Sequence, residues 1–164
     1  MEIARSVGGI VLKKLDLFLV ELLRQIPVSA DPSGSEAGRE RLYSKPATDP
    51  AANAEWEEYV EPELRHLFES ANETVRRDLN KLEEITHGEA LEYRLRIPAE
   101  HFEIWLNSMN QARLVLAARH NFTEEELARQ GVPELDDTRS LSLFQIHFYG
   151  FLQEILVREI DPPE

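Results

Sequence analysis

From Pro98 to His120 the chain reads PAEHFEIWLNSMNQARLVLAARH, with apolar residues recurring at helical spacing. Phe102, Trp105, Leu106, Met109, Ala112, Val115 and Leu116 make one broad face of a helix of about six turns. Asn107, Asn110 and Arg113 interrupt the pattern at three-residue steps, which lines them up along one edge of that face. This helix is the element around which the remaining pattern is organised.

Before it, two β-prone runs flank Gly8-Gly9, a glycine pair that supplies the positive φ of a tight hairpin turn. Residues 2–6 and 10–14 are therefore expected to pair, within a hairpin over 2–14. Asp16 caps a strongly apolar helix that Pro27 is expected to end at Ile26. Residues 27–50 are rich in proline and glycine and read as a loop-rich surface excursion or mobile loop, with one short helix between Ser35 and Tyr43. Asp49-Pro50 opens the next helix. Its apolar stripe runs from Trp56 through Val60, Leu64, Leu67, Phe68, Ala71, Val75, Leu79 and Leu82 to Ile85, keeping phase across Pro62, where a kink or a restart is expected. Gly88 breaks the pattern. Leu91, Tyr93, Leu95 and Ile97 then alternate with Glu92, Arg94 and Arg96, so 91–97 is a half-buried strand and the third partner of the hairpin.

After the central helix, Thr123 to Glu126 forms a capping box for a short helix that Gly131 and Pro133 stop. Asp136, Asp137 or Thr138 caps the last helix, whose core stripe is expected at Leu141, Phe144, Phe148, Phe151, Leu152, Ile155 and Leu156. Leu143, Ile146, Tyr149 and Val157 then add apolar surface beyond one packing face and are candidates for an interface, including one with a second copy of the chain. The pattern as a whole predicts a mainly α protein of the α+β class. It is a compact bundle of four main helices plus short ones, with a small N-terminal antiparallel sheet of two or three strands, in one domain over 1–164.

Composition narrows the functional classes. The chain of 164 residues has 31 acidic against 18 basic side chains, a formal charge of −13, which disfavours nucleic acid as a partner. It has no cysteine, which removes disulfides, thiolate nucleophiles and Cys-ligated metals. Lys13-Lys14, LDLFLVELL and Val28-Ser29-Ala30 imitate a secretory signal, but Asp16, Glu21 and Arg24 interrupt it. No apolar run reaches the roughly 20 residues a membrane span requires. The expected location is the cytoplasm, with no membrane partner.

Several motifs carry candidate chemistry. Glu63-Leu-Arg-His66 and Glu84-Ile-Thr-His87 each place a carboxylate and an imidazole three residues apart, as metal-binding bundles do. Read on one helix, they are about 30 Å apart and cannot share an ion, so neither a metal site nor a cofactor is assigned. His120 reads as a helix C-terminal cap where a cation is favoured, His101 as exposed in a first helical turn, and His147 as a satisfied core histidine. No nucleophile elbow or phosphate-binding glycine loop is present. Asn107, Asn110 and Arg113 remain the candidates for gripping a carboxylate, a peptide carbonyl or an anionic ligand. On the structural alternative, Arg113 pairs with Asp136, Asp137 or a Glu of another helix and the Asn amides satisfy loop backbone.

The segments GGIVLKKLD, the acidic helix from Glu55 to Leu82, and above all WLNSMNQARLVLAARHNFTEEEL with the terminal aromatic helix resemble the bacterial domain-of-unknown-function family numbered two thousand and seventeen. Trp105-Leu106, Asn110, Arg113-Leu114-Val115-Leu116 and Thr123-Glu124 carry the likeness most specifically, while Ser108-Met109 and Gln111 depart from it. The resemblance implies no catalytic residue. It implies a gene neighbourhood shared with ClpS, an adaptor that delivers substrates to a bacterial protease, and through it a link to protein quality control. The leading expectation is a non-enzymatic interaction or regulatory protein of adaptor type, with a possible homodimer. A metal-binding helical protein or metal-dependent hydrolase and a small anionic-ligand sensor centred on Arg113 are the alternatives.

Overall fold

The structure is a computed structural model and describes residues 1–46 and 48–161, so the last three residues of the expected domain lie outside the described part. Among the described residues the chain forms four strands and seven α-helices. The order is β1 (Glu2–Ser6), β2 (Gly9–Leu15), α1 (Leu17–Ser29), α2 (Glu36–Leu42), α3 (Pro50–Tyr59), α4 (Glu61–Leu79), β3 (Glu83–His87), β4 (Ala90–Pro98), α5 (Phe102–Arg119), α6 (Glu124–Ala128) and α7 (Thr138–Ile160). A single 3-10 turn over Ala99–His101 leads into α5.

The sheet is antiparallel throughout, in the order β1-β2-β4-β3, and so has one strand more than the two or three expected. The β1–β2 hairpin turns at Val7-Gly8, with Ser6 opposite Gly9. Gly9 is itself in the strand, where a Cβ would lie 2.2 Å from the Ile97 carbonyl oxygen, so the β2–β4 register demands glycine there. The expected strand partner of the hairpin is in place as β4, with Ile10 opposite Ile97 and Leu12 opposite Leu95. The unforeseen strand is β3, which takes Ile85 out of the helical stripe and pairs it opposite Glu92. Gly88, at φ +64°, supplies the turn between β3 and β4.

Helix ends follow local chemistry. Asp16, Ser35, Asp49, Thr123 and Asp137 each accept a backbone N–H at the start of α1, α2, α3, α6 and α7. The long acidic helix is two: Val60 ends α3, and Pro62 sits in the first turn of α4, where its missing N–H leaves no intrahelical bond unmade. In contrast, Pro27 does not end α1, which continues to Ser29 with the proline buried in its last turn.

The helices close over one face of the sheet. Ile10, Leu12, Leu15, Leu95 and Ile97 meet Val20, Leu23 and Ile26 of α1, Val75 and Leu79 of α4, and Trp105, Met109 and Leu116 of α5.

 Leu95 of β4 is fully buried in the same layer. Ile146, Tyr149, Leu152 and Leu156 of α7 complete the interior. Helix α5 packs against α1, α2, α4 and α7, which is why it is apolar on most of its circumference. Segment 27–50 is anchored rather than an excursion: α2 packs on α5, and Leu42 and Tyr43 are buried beside Val115. No helix among the described residues is long and apolar enough to cross a membrane.

The last helix presents a different face from the one its pattern suggested. Ile146 and Tyr149, read as interface residues, are core: Tyr149 is fully buried and its hydroxyl donates to the Leu22 carbonyl at 2.8 Å. Phe151, read as core, is half exposed, as is Val157, while Leu143 is half-buried. Helix α5 packs along α7, and α1 reaches it where Tyr149 bonds the Leu22 carbonyl and Phe18 meets Phe144, and these neighbours decide which face is buried.

Candidate functional site

The three polar residues singled out on α5 are not gathered into one site. Asn107 and Asn110 are exposed along the helix edge. Arg113 is half-buried in the seam between α5 and α7. Its Nη1 donates to Gln153 Oε1 at 2.7 Å, and Gln153 Nε2 donates to the Leu106 carbonyl at 3.1 Å, so one amide ties the two helices together. The ion pair expected for Arg113 does not form. Asp137 instead caps α7 through the Ser140 N–H at 2.6 Å, and Asp136 accepts from the Ser140 hydroxyl at 3.1 Å.

This leaves a guanidinium with no carboxylate partner among the described residues and with its Nε buried and unpartnered. Burial pushes its pKa below the usual arginine value. The guanidinium packs against Gly150, where a Cβ would be in ordinary contact, 3.4 Å from the Arg113 Cζ and Nη2. Arg113 lines an open groove of about 930 Å³ between α6 and α7, beside apolar Leu127, Phe151 and Val157. Two further guanidiniums border it, Arg129 at 3.7 Å from Glu125 and Arg158 at 3.9 Å from Glu154.

The histidines do structural work. His147 donates through Nε2 to the Leu127 carbonyl at 3.0 Å and fastens α6 to α7. His101, expected on the surface, lies with Nδ1 2.7 Å from Asp78 Oδ2, an oxygen that also accepts from Trp105 Nε1 at 2.9 Å. His120 does cap α5, but burial, with Arg119 and Arg139 nearby, lowers its pKa, so the site disfavours the cation its helix end suggested. Its Nε2 is 3.0 Å from the Ser142 hydroxyl, and that hydroxyl donates to the Thr138 carbonyl at 2.9 Å. The serine hydroxyl thus lies between the imidazole and its own helix backbone, and its contact with His120 ties α7 to the end of α5. The Glu-x-x-His pairs lie on different elements: Glu63 and His66 on α4, Glu84 and His87 on β3. On a strand, residues three apart point to opposite faces, so the second pair does not converge. Among the described residues no group of three His, Asp or Glu side chains is placed to hold a metal ion.

One pocket was not legible from the sequence. It lies between the turn at Ala30–Ser33, α2, α4 and α5, and encloses about 430 Å³. Arg39, Arg65 and Arg76 line it together with Tyr43, Asn72 and Gln111. Gln111 is 2% exposed, and neither end of its amide has a hydrogen-bond partner. The residues come from three helices well separated in sequence, and no local motif joins them.

The family model described as Domain of unknown function (DUF2017) matches residues 8–160, nearly the whole chain. The chain belongs to that family. The match takes in the β2–β4 pairing, the central helix and both cavities, so these features lie within the DUF2017 region rather than in an appended segment. No curated protein and no solved structure matches the chain.

Proposed function

We propose that this protein is a non-enzymatic interaction protein of regulatory or adaptor type, and that its groove between α6 and α7 takes a partner polypeptide by a carboxylate set beside an apolar side chain. The observation that supports this reading is Arg113, a half-buried guanidinium with an unpartnered Nε and no acidic neighbour in ion-pair contact, opening on a groove with apolar Leu127, Phe151 and Val157. A guanidinium fork binds a carboxylate bidentately, and the attraction strengthens as solvent is excluded. Arg129 and Arg158 border the groove but each pairs with the glutamate four residues before it, at 3.7 and 3.9 Å, and Glu154 lines the groove too, so Arg113 is the uncompensated charge there. The neutral Gln153 contact holds the fork in place while leaving its charge uncompensated.

An array of peptides with free or amidated C-termini, probed with the wild-type protein and with Arg113→Met, tests the reading. Peptides ending in an apolar residue with a free carboxylate are expected to be retained, and to be lost both on amidation and with Arg113→Met at unchanged melting temperature. Equal retention by the two proteins, or indifference to amidation, refutes it. Self-association belongs to the same proposal, with Phe151, Val157 and Ile160 as the exposed apolar residues of α7. A clean monomer in light scattering at high protein concentration removes that part.

A further inference from the structure

The pocket bounded by α2, α4 and α5 is independent of the groove. Gln111 and Arg113 are two residues apart on α5, about 200° around the helix, and so serve opposite sides of it. Three features of the pocket bear on what could occupy it. The first is charge. In a chain of −13, three arginines from two helices line one small cavity. The Arg39 guanidinium makes no ion pair or hydrogen bond among the described residues, and those of Arg65 and Arg76 pair only with acids of their own helix, Glu61 at 3.3 Å and Glu73 at 3.7 Å. Such exposed pairs within one helix hold a side chain weakly. Arg65 also stacks over the Tyr43 ring, 4.8 Å from its centroid, which orients its fork.

The second feature is the acids present. Asp31 and Glu69 also line the pocket, two carboxylates that oppose an anion and are outnumbered by the three guanidiniums. Asp31 accepts from the Ser33 backbone N–H at 2.9 Å, and the Ser33 side chain first, then that N–H, with Arg76 and Arg119 nearby, hold its carboxyl below the usual aspartate range. The third is the floor. Gln111 buries an amide N–H₂ and an amide C=O, both unpartnered, in a wall that otherwise satisfies its polar groups: the neighbouring Asn72 Oδ1 accepts from the Ser108 hydroxyl. A buried amide left unpaired at both ends is unfavourable, and an occupant that answers both must present an acceptor and a donor.

We propose that this pocket binds a small phosphomonoester, its phosphate held at the rim by Arg39, Arg65 and Arg76 and a hydroxyl of its body paired with the Gln111 amide at the floor. A phosphate dianion offers three terminal oxygens to three forks, whereas a carboxylate offers two and carries half the charge. A hydroxyl both donates and accepts, as the floor requires. The cavity is at the small end of ligand pockets, which suits a sugar phosphate in size.

The test titrates the full chain at constant ionic strength with ribose 5-phosphate, inorganic phosphate and ribose, followed by calorimetry and by thermal shift. Ribose 5-phosphate is expected to bind at least tenfold more tightly than inorganic phosphate, and ribose not at all. Arg39→Ala and Arg76→Ala, both at exposed positions, are expected to weaken the ester tenfold or more while the unliganded melting temperature stays within a degree or two. Arg39→Lys keeps the charge without the fork and is expected to fall between. Gln111→Leu, close in shape and free of the unpaired amide, is expected to keep phosphate binding and to lose the preference for the ester. Absence of binding by both phosphates, or equal binding by wild type and the arginine variants, overturns the proposal. So does an ester bound no more tightly than free phosphate by the wild-type protein. Unchanged peptide retention by Arg39→Ala on the array is the expected sign that the two sites are separate.

Discussion

Asp78 joins the end of α4 to the start of α5, and its removal has a predictable magnitude. Its side chain is 1% exposed, and both of its strong contacts fall on one oxygen: His101 Nδ1 at 2.7 Å and Trp105 Nε1 at 2.9 Å on Oδ2, while Oδ1 has only Lys81 Nζ at 3.8 Å. In Asp78→Ala the indole N–H of Trp105, a fully buried residue, has no acceptor left. An orphaned buried donor costs about 1–3 kcal/mol, and a hydrogen bond to a charged group contributes about 1.5–3 kcal/mol. His101 is partly exposed, so water recovers much of its share. The expected loss is about 3–4 kcal/mol, a large part of the ~5–15 kcal/mol that holds a domain folded. For a chain of this size that corresponds to a fall in melting temperature of about 6–16 °C. Asp78→Asn can set its single carbonyl oxygen where Oδ2 lies and turn its amide N–H₂ toward the Lys81 side, so only the charge is lost and the expected cost is about 1 kcal/mol. Urea unfolding followed by far-UV circular dichroism, with Trp105 fluorescence in a Trp56→Phe background as the local probe, measures both. A loss below about 1 kcal/mol for Asp78→Ala, or an Asn variant no more stable than the Ala one, refutes the reasoning.

Four further outcomes are expected. Gly9→Ala drives a Cβ to within 2.2 Å of the Ile97 carbonyl oxygen and should break the β2–β4 register, seen as loss of the cooperative thermal transition, whereas Gly34→Ala, with open space around it, should cost only the strain of its positive φ, about 1–2 kcal/mol. Tyr149→Phe removes the bond to the Leu22 carbonyl and is expected to cost about 1 kcal/mol in urea unfolding, while Tyr149→Arg, which would be harmless at an interface, should abolish folding. Gly150→Ala gains up to about 1 kcal/mol of helix propensity against a mild contact with Arg113, so stability should hold or rise; the bulkier Gly150→Val should displace the guanidinium and abolish peptide retention. Below pH about 6.5, stability should begin to fall. His120 has its folded pKa lowered, chiefly by burial and then by Arg119 and Arg139, so just below its unfolded value the unfolded chain binds more protons and stability rises with pH. His120→Gln should flatten that first step. A second fall, below about pH 4.5, should remain, because Glu126 is held below its usual value by the Thr123 backbone N–H and by Arg139.

Features that rest on neighbours in sequence were readable, and those that rest on distant contacts were not. The caps at Asp16, Asp49, Thr123 and Asp137 depend on one side chain reaching a backbone N–H two or three residues on, and β4 announces itself by strict alternation. Strand β3 has one apolar residue, Ile85, whose position also continues the stripe of α4; pairing with β4 alone makes it a strand. Helix α7 is apolar on nearly every side, so its pattern could not tell Tyr149 from Phe151, and the approach of α1 and α5 decided which is buried. Arg113 was legible as an unusual residue, but its neutral partner Gln153, forty residues away, was not.

The chain by itself determined the helical class, most helix starts, the central role of residues 98–120 and the acidic surface, because periodicity, capping and charge act within a turn or two of their own residue. Tertiary structure alone decided the fourth strand, the lack of an ion-pair partner for Arg113 among the described residues and the convergence of Arg39, Arg65, Arg76 and Gln111 on one cavity. Those depend on which surfaces meet when α2, α4 and α7 close around α5, and packing between remote segments leaves no local trace in the order of residues.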